Sequence, residues 1–401
     1  MATVTAPAMK RFLHVIHYPV FGGPTNQALR LAAPLRELGW ETLVLLPDEP
    51  GNSVERLRAG GVETVTLPLH RLRATPDPRV QARFMGGFAG EVRAIRGLIR
   101  ERGIDLVLVT GLTNPHAGFA ARREGKAVTW QLVDTRPPMA MRRALMPVVT
   151  RLADSLMTTG REVARVHPGA LGFGRRLVPF FPPVDLEAFA DSAAKREAAR
   201  AELGIPPDAF VVGTVGNINA QKGHEYLLRA AARAREHVPN LVLRFLGART
   251  PTQARYEARL RREARLLGFD PGVVFVEPGN RVPALLPAFD LFALTSVPRS
   301  EGIPTVVLEA MAAGLAVVST DVGAVREAMT PETGIVVPAL RPDAIATAIG
   351  ALARDTGRRE SMAAAGRARA LGAFSARQSA EAHARAFGVA MERAARRHGG
   401  R

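Results

Sequence analysis

The chain contains no cysteine. That excludes disulfides, thiolate nucleophiles and any cysteine-ligated zinc or iron–sulfur centre, and it fits a reducing compartment. Aromatic residues are scarce, at 5%. No nucleic-acid recognition motif accompanies them, so nucleic acid is not an expected partner. No apolar run reaches the roughly 18 residues that a membrane helix needs. The best stretch, Thr305–Thr320, is interrupted by Glu309. The first 20 residues lack a charged segment followed by a long apolar one and a small-residue cleavage site, so the expected location is the cytoplasm. No repeat of fixed period and no low-complexity segment is present.

What is present suits a folded enzyme. At 401 residues, 47% apolar and 23% charged, the chain is long for one core and comfortable for two α/β domains. Its formal charge is +17, spread evenly: residues 1–190 carry 25 Lys/Arg against 16 Asp/Glu, and the remainder 29 against 21. With no basic block or tail, the excess reads as solvated arginine-rich helix faces. A general attraction for anionic nucleotides or an anionic membrane surface is the other reading.

Short apolar runs alternate with helical patterns throughout. In the first half, strands are expected at residues 12–17, 42–46, 64–67, 105–110, 128–133 and 155–158. Helical periodicity falls between them at 24–38, 53–59, 84–102, 115–123 and 139–152. Around Val178–Asp185, Pro179, Pro182 and Pro183 break the pattern, as an interdomain crossover would. The alternation then restarts, with strands at 211–215, 241–246, 273–276, 290–295 and 315–319, continues through apolar segments at 325–329 and 335–337, and ends in three helices. Strands separated by helices predict βαβ units and two doubly wound, mostly parallel sheets. The expected domains are residues 1–185 and 186–375, with a final helix, 376–401, crossing back to the first. Ligands of such folds bind at the carboxyl ends of the strands.

Four stretches could carry chemistry. Gly22-Gly23-Pro24 closes the first strand and opens a helix; it is either a tight β–α turn or a close approach to phosphate or sugar. The G-x-G-x-x-G dinucleotide spacing is missing. Gly216-Asn217 and Lys222-Gly223 flank the loop after the second half's first strand. Lys222 is a surface lysine or a point charge on a diphosphate. Glu301, in the loop Glu301-Gly302-Ile303-Pro304, precedes a short apolar helix that begins at Thr305. Glu309, within that helix, needs a partner if buried, and paired ligand hydroxyls would serve. Helix-start N–H groups near Gly302, Ile303 and Thr305 could bind an anion. In the first half, Asp134 ends a strand and His116 follows Asn114-Pro115. Either could hold a hydroxyl, or be structural.

Taken in order, Gly22-Gly23, Gly216…Lys222-Gly223 and Glu301-x7-Glu309, followed by Glu-Ala-Met-Ala-Ala-Gly, resemble the retaining glycosyltransferases of family 4, which have the GT-B fold. Ser319–Glu327 and Thr333–Pro338 resemble the family as well, and the likeness is stronger in the second half. It implies a nucleoside diphosphate sugar as donor and co-substrate, no cofactor and no metal. Lys222 would hold the diphosphate, Glu309 the ribose, and Glu301 the transferred sugar. Amides near Gly302, Ile303 and Thr305 would take sugar hydroxyls and phosphate; Pro304 cannot donate one. The first domain would bind the acceptor: a glycan, a lipid-linked group or a small molecule.

Two departures stand out. Asn217 replaces the arginine that family members usually supply as a second cation, leaving Arg249 or Arg299 to substitute. The family's histidine after a first-domain strand is replaced by Asp134, and His116 is a second acceptor-side candidate. Two rivals share these features: a nucleotide-sugar 2-epimerase on the same fold, and a non-catalytic basic binding protein. Met139–Arg151 mixes Met, Leu and Val with Arg142, Arg143 and Arg151. It reads as a cleft helix or as a peripheral membrane contact.

Overall fold

The computed structural model describes residues 9–72, 77–248, 253–269 and 273–399. It divides into two compact units, Met1–Pro183 with Ala376–Arg401, and Val184–Ser375. Arg249 lies outside the described residues.

The first unit is built on seven strands: β1 (Lys10–Val15), β2 (Trp40–Pro47), β3 (Glu63–Leu67), β4 (Leu106–Thr110), β5 (Ala127–Leu132), β6 (Ser155–Thr159) and β7 (Leu177–Phe180). Between them run α1 (Gly23–Glu37), α2 (Ser53–Ala59), α3 (Pro78–Glu101), α4 (Pro115–Arg123), α5 (Met139–Leu152) and α6 (Arg161–Arg165). The strands lie in the order β3-β2-β1-β4-β5-β6-β7. All pairs are parallel, which requires helical crossovers and leaves both sheet faces covered. The topology switches where β1 pairs with both β2 and β4.

The second unit repeats the plan with β8 (Phe210–Val215), β9 (Leu241–Leu246), β10 (Val273–Val276), β11 (Leu291–Leu294), β12 (Ala316–Thr320) and β13 (Gly334–Val337). Its helices are α7 (Ser192–Glu202), α8 (His224–Ala234), α9 (Ala254–Leu266), α10 (Val282–Leu285), α11 (Thr305–Ala312), α12 (Val325–Ala328), α13 (Pro342–Arg354) and α14 (Thr356–Ala373). The order is β10-β9-β8-β11-β12-β13, and the switch falls between β8 and β11. The chain enters and leaves this unit side by side: the Val184 N–H donates to Phe374 O over 2.8 Å.

The proline-rich stretch read as a crossover is in part a strand. Pro179 sits in β7, opposite Thr158 of β6. β7 is the sheet edge, where a missing N–H is tolerated. Helix α3 starts at Pro78, earlier than periodicity suggested, because the Asp77 carboxylate accepts the Arg79 N–H and caps it. Among the described residues, no helix is long and apolar enough to cross a membrane. Arg142 is also not part of a basic face on α5. It is buried, donating to Pro137 O at 2.9 Å and Val166 O at 2.6 Å.

The last helix, α15 (Ala376–Gly399), belongs to the first unit. Its Phe387 packs with Phe12 and Trp40, alongside Leu31 and Leu35 of α1. At its far end Arg397 donates to Asp154, a carboxylate only 1% exposed that also accepts from Arg122 and from the Val128 N–H. In the middle, a buried polar chain ties α15 to the sheet. His14 Nε2–H donates to Thr110 Oγ1 (2.8 Å), and Thr110 donates to Gln131 Oε1 (2.9 Å). Gln131 and Gln27 both donate to His383 Nε2 (3.1 and 3.0 Å), and His383 Nδ1–H donates to Ser379 O (2.7 Å). Each bond fixes the next group's donor or acceptor role.

Burial pushes His14 down to about 3 and His383 to about 4, from an ordinary 6.5. An unfolded chain therefore takes up these protons below pH 6.5 while the folded one does not. Stability is full above that pH and falls toward pH 4, by about 1.4 kcal/mol per unit for each histidine. Thermal melts of wild type and His383→Gln between pH 7 and 4.5 check this. The variant's midpoint should decline with the shallower slope; equal slopes would remove His383 from the linkage.

Candidate functional site

In the second unit the strand ends at the switch point carry two opposite charges. After β8 the chain passes Gly216 and Asn217, makes one tight turn at Ala220–Lys222, and enters α8 through Gly223. After β11 it passes Thr295, Ser296 and a Pro-Arg-Ser loop to Glu301, then enters α11 at Thr305. Lys222 Nζ donates to Glu301 Oε1 over 2.7 Å. Glu301 is 8% exposed, and Ser296 Oγ donates to the same oxygen, also over 2.7 Å.

Backbone geometry makes this pairing close. The Lys222 stem lies against Gly216, where a Cβ would stand 3.1 Å from Lys222 Cε. Gly223 has φ +61°, and a Cβ there would stand 2.1 Å from Thr295 O. Thr295 and Val297 hold the two loops together, and Ser296 between them braces the acidic loop from within. Thr295 Oγ1 donates to Lys222 O (3.1 Å), Ser296 reaches Glu301, and the Val297 N–H donates to Gln221 O (3.0 Å). The Ala324 N–H donates to Gly302 O (2.8 Å) and anchors the far side of the acidic loop. Gly302 and Ile303 are buried, and Thr305 is half-buried at the α11 start. The α11 N-terminus adds the positive end of a helix dipole to a site that already holds Lys222.

The other expected residues of this unit are placed as follows. Glu309 is half-buried on α11, one turn beyond its start. Asn217 is exposed, and its backbone carbonyl faces His224 Nε2 at 3.3 Å. Burial, with Lys222 adding to it, lowers His224 to about 4. Arg299, the remaining stand-in for the missing cation, is exposed in the loop just before Glu301 and has φ +62°. A non-glycine residue pays strain for that conformation.

In the first unit, Gly22 and Gly23 are exposed at the start of α1, where Thr25 Oγ1 and the Gly22 backbone bond reciprocally. His116 is a core residue rather than a surface ligand-binder. It is 1% exposed, packed edge-on against Phe84 and Phe88, with Nε2 3.1 Å from Glu91. Burial raises the Glu91 pKa, but hydrogen bonds from His116 and His70 outweigh it and hold the group below its ordinary value. Asp134 follows β5 and accepts the Arg136 N–H at 3.0 Å. It lines a recess at this unit's switch point with His17, Tyr18, Thr113, Arg136 and His167. His17 hydrogen-bonds Asn114 at 2.6 Å; burial, then Arg71, push it down to about 3.

Strands read as ending at Thr295, His17 and Thr110 leave Ser296, Tyr18 and Thr113 just outside them. The available signal was a run of hydroxyl residues just beyond a buried strand, where side chains stop packing and begin to face the crevice.

Residues 195–369 match the family "Glycosyl transferases group 1", and residues 22–183 match "Glycosyl transferase 4-like domain". The chain belongs to the family 4-type glycosyltransferases. Among curated relatives, a D-inositol 3-phosphate glycosyltransferase of Corynebacterium urealyticum is 33% identical over 57% of this chain and 55% of its own. A GDP-mannose-dependent alpha-(1-6)-phosphatidylinositol monomannoside mannosyltransferase of Mycolicibacterium smegmatis is 31% identical over 62% and 64%. The match thus spans between half and two thirds of these relatives' lengths. The solved structure of Anabaena HepE with UDP and glucose covers 93% of this chain and 97% of its own, with a TM-score of 0.77 at 19% identity. That likeness establishes the fold: this chain has the GT-B architecture of two Rossmann-like domains.

Gly223 is a sharp structural constraint at the site. Gly223→Ala forces a Cβ onto a backbone oxygen at positive φ, and should cost about 2 kcal/mol or more. Chemical denaturation measures it; an unchanged midpoint would mean the turn can relax.

Proposed function

We propose that this glycosyltransferase moves a hexose or related sugar from a nucleoside diphosphate sugar to an acceptor hydroxyl, with retention of anomeric configuration. The carrying observation is the Lys222–Glu301 pair, a cation and an acid brought together at a sheet switch point beside a helix N-terminus. Lys222 would take the diphosphate. As the glycosidic bond breaks, negative charge grows on the departing phosphate, and Lys222, nearby amides and the α11 dipole stabilise it there. Glu301 would orient the sugar through its hydroxyls, and Glu309 would hold the ribose. On a front-face course through an oxocarbenium-like transition state, the leaving phosphate itself accepts the acceptor's proton. No carboxylate is then required as nucleophile.

The recess in the first unit suits the acceptor. Asp134 offers an acceptor for a hydroxyl, Arg136 a cation, and Thr113 a further hydrogen bond. The two relatives named above carry inositol phosphates in their names. Inositol 3-phosphate therefore belongs with phosphatidylinositol-type lipids in a first acceptor panel.

Thermal shifts with UDP, GDP, ADP and dTDP, then mass spectrometry of incubations with the matching sugar nucleotides, test the reading. A stabilising nucleotide and a glycosylated acceptor are expected. An epimerised donor formed without acceptor would contradict it. Lys222→Ala should lose about 2–4 kcal/mol of donor interaction, on the order of 30- to 1,000-fold in kcat/KM. Wild-type turnover and donor KM in that variant would remove Lys222 from the role.

A further inference from the structure

We infer that Ser296 is a positioning residue, which keeps the Glu301 carboxylate in place when Lys222 transfers from it to the donor's diphosphate. The inference rests on the donor-site reading of Lys222 and Glu301. Both Lys222 Nζ and Ser296 Oγ donate to one oxygen, Glu301 Oε1, each over 2.7 Å. Ser296 is fully buried, and its own carbonyl accepts from Thr320 Oγ1 over 2.8 Å. Its backbone is thus fixed by β12, whereas the lysine head swings on a flexible stem. A diphosphate competes for that ammonium more strongly than one carboxylate does, since it offers more charge and several oxygens.

When the ammonium moves, Glu301 loses an ionic partner at Oε1 while remaining largely desolvated. The Ser296 hydroxyl stays. It holds Oε1, and with it the orientation of the carboxylate that a sugar hydroxyl meets. Ser296 therefore contributes little to capturing a nucleoside diphosphate and much to the reacting geometry of the sugar.

The test uses full-length protein and whichever of UDP, GDP, ADP and dTDP binds wild type, with its sugar nucleotide. In Ser296→Ala, the Kd for the nucleoside diphosphate should stay within about two-fold, while kcat falls roughly ten-fold or more, the scale of losing one hydrogen bond to a charged group. In a Glu301→Gln background the same substitution should change kcat little, because Ser296 acts through the carboxylate. Ser296→Cys, which keeps the side-chain shape with a somewhat larger atom and donates weakly, replaces alanine if the latter does not fold. Equal losses in diphosphate Kd and kcat would overturn the inference. So would an undiminished effect of the substitution in the Glu301→Gln background. If no nucleoside diphosphate binds wild type, the donor-site reading fails first and takes this inference with it.

Discussion

Lys222 and Glu301 stand 79 positions apart in the chain and 2.7 Å apart in space. Parallel pairing is what closes that gap. β8 is central, so β9 and β11 flank it, and the loops leaving β8 and β11 must emerge at the same edge. Everything else at the site elaborates this constraint. Glycines at 216 and 223 let the backbones come close. Thr295 and Val297 bind one loop to the other, and the buried Ser296 hydroxyl holds the acid in place.

The opposite, amino-terminal edge of each sheet solves a different problem. A parallel strand's first N–H lacks a neighbour within the ladder, and a buried unpaired N–H is costly. Among the described residues this is met three times with the same device, an aspartate just ahead of a strand that accepts an N–H near the start of the strand beside it. Asp105 takes Arg11, Asp154 takes Val128 and Asp290 takes Val211, at 2.8, 3.0 and 2.7 Å. Two of these acids also collect arginines from helices: Asp290 from Arg196 and Arg200 of α7, and Asp154 from Arg397 of α15. Acids at one edge thus anchor helices and fasten sheets. Acids at the other edge, Asp134 and Glu301, face the crevices. Some of the arginines thus serve anchoring rather than solvated faces. Arg142 and Arg244 are buried outright, each donating to backbone carbonyls.

Both doubly wound sheets were legible from the alternation of apolar runs and helical periods, because burial on both faces gives parallel strands continuous apolar sequences. β7 was hidden because its proline signals a break, and only its edge position makes that proline acceptable. Lys222 and Glu301 were legible as isolated charges beside glycines. Their contact was not, since nothing local encodes a separation of 79 residues. His116 stayed open between two readings for a similar reason. Its partner Glu91 sits on a different helix, and only packing reveals that the ring is enclosed. Ser296 escaped because a serine after a strand carries no periodic signal, and its role follows entirely from what it touches.

A structure of the protein with its nucleoside diphosphate bound tests the account most directly. Lys222 Nζ is expected within hydrogen-bonding distance of the terminal phosphate and withdrawn from Glu301, with Ser296 still donating to the carboxylate. A diphosphate seated elsewhere, with Lys222 and Glu301 still paired, would contradict it.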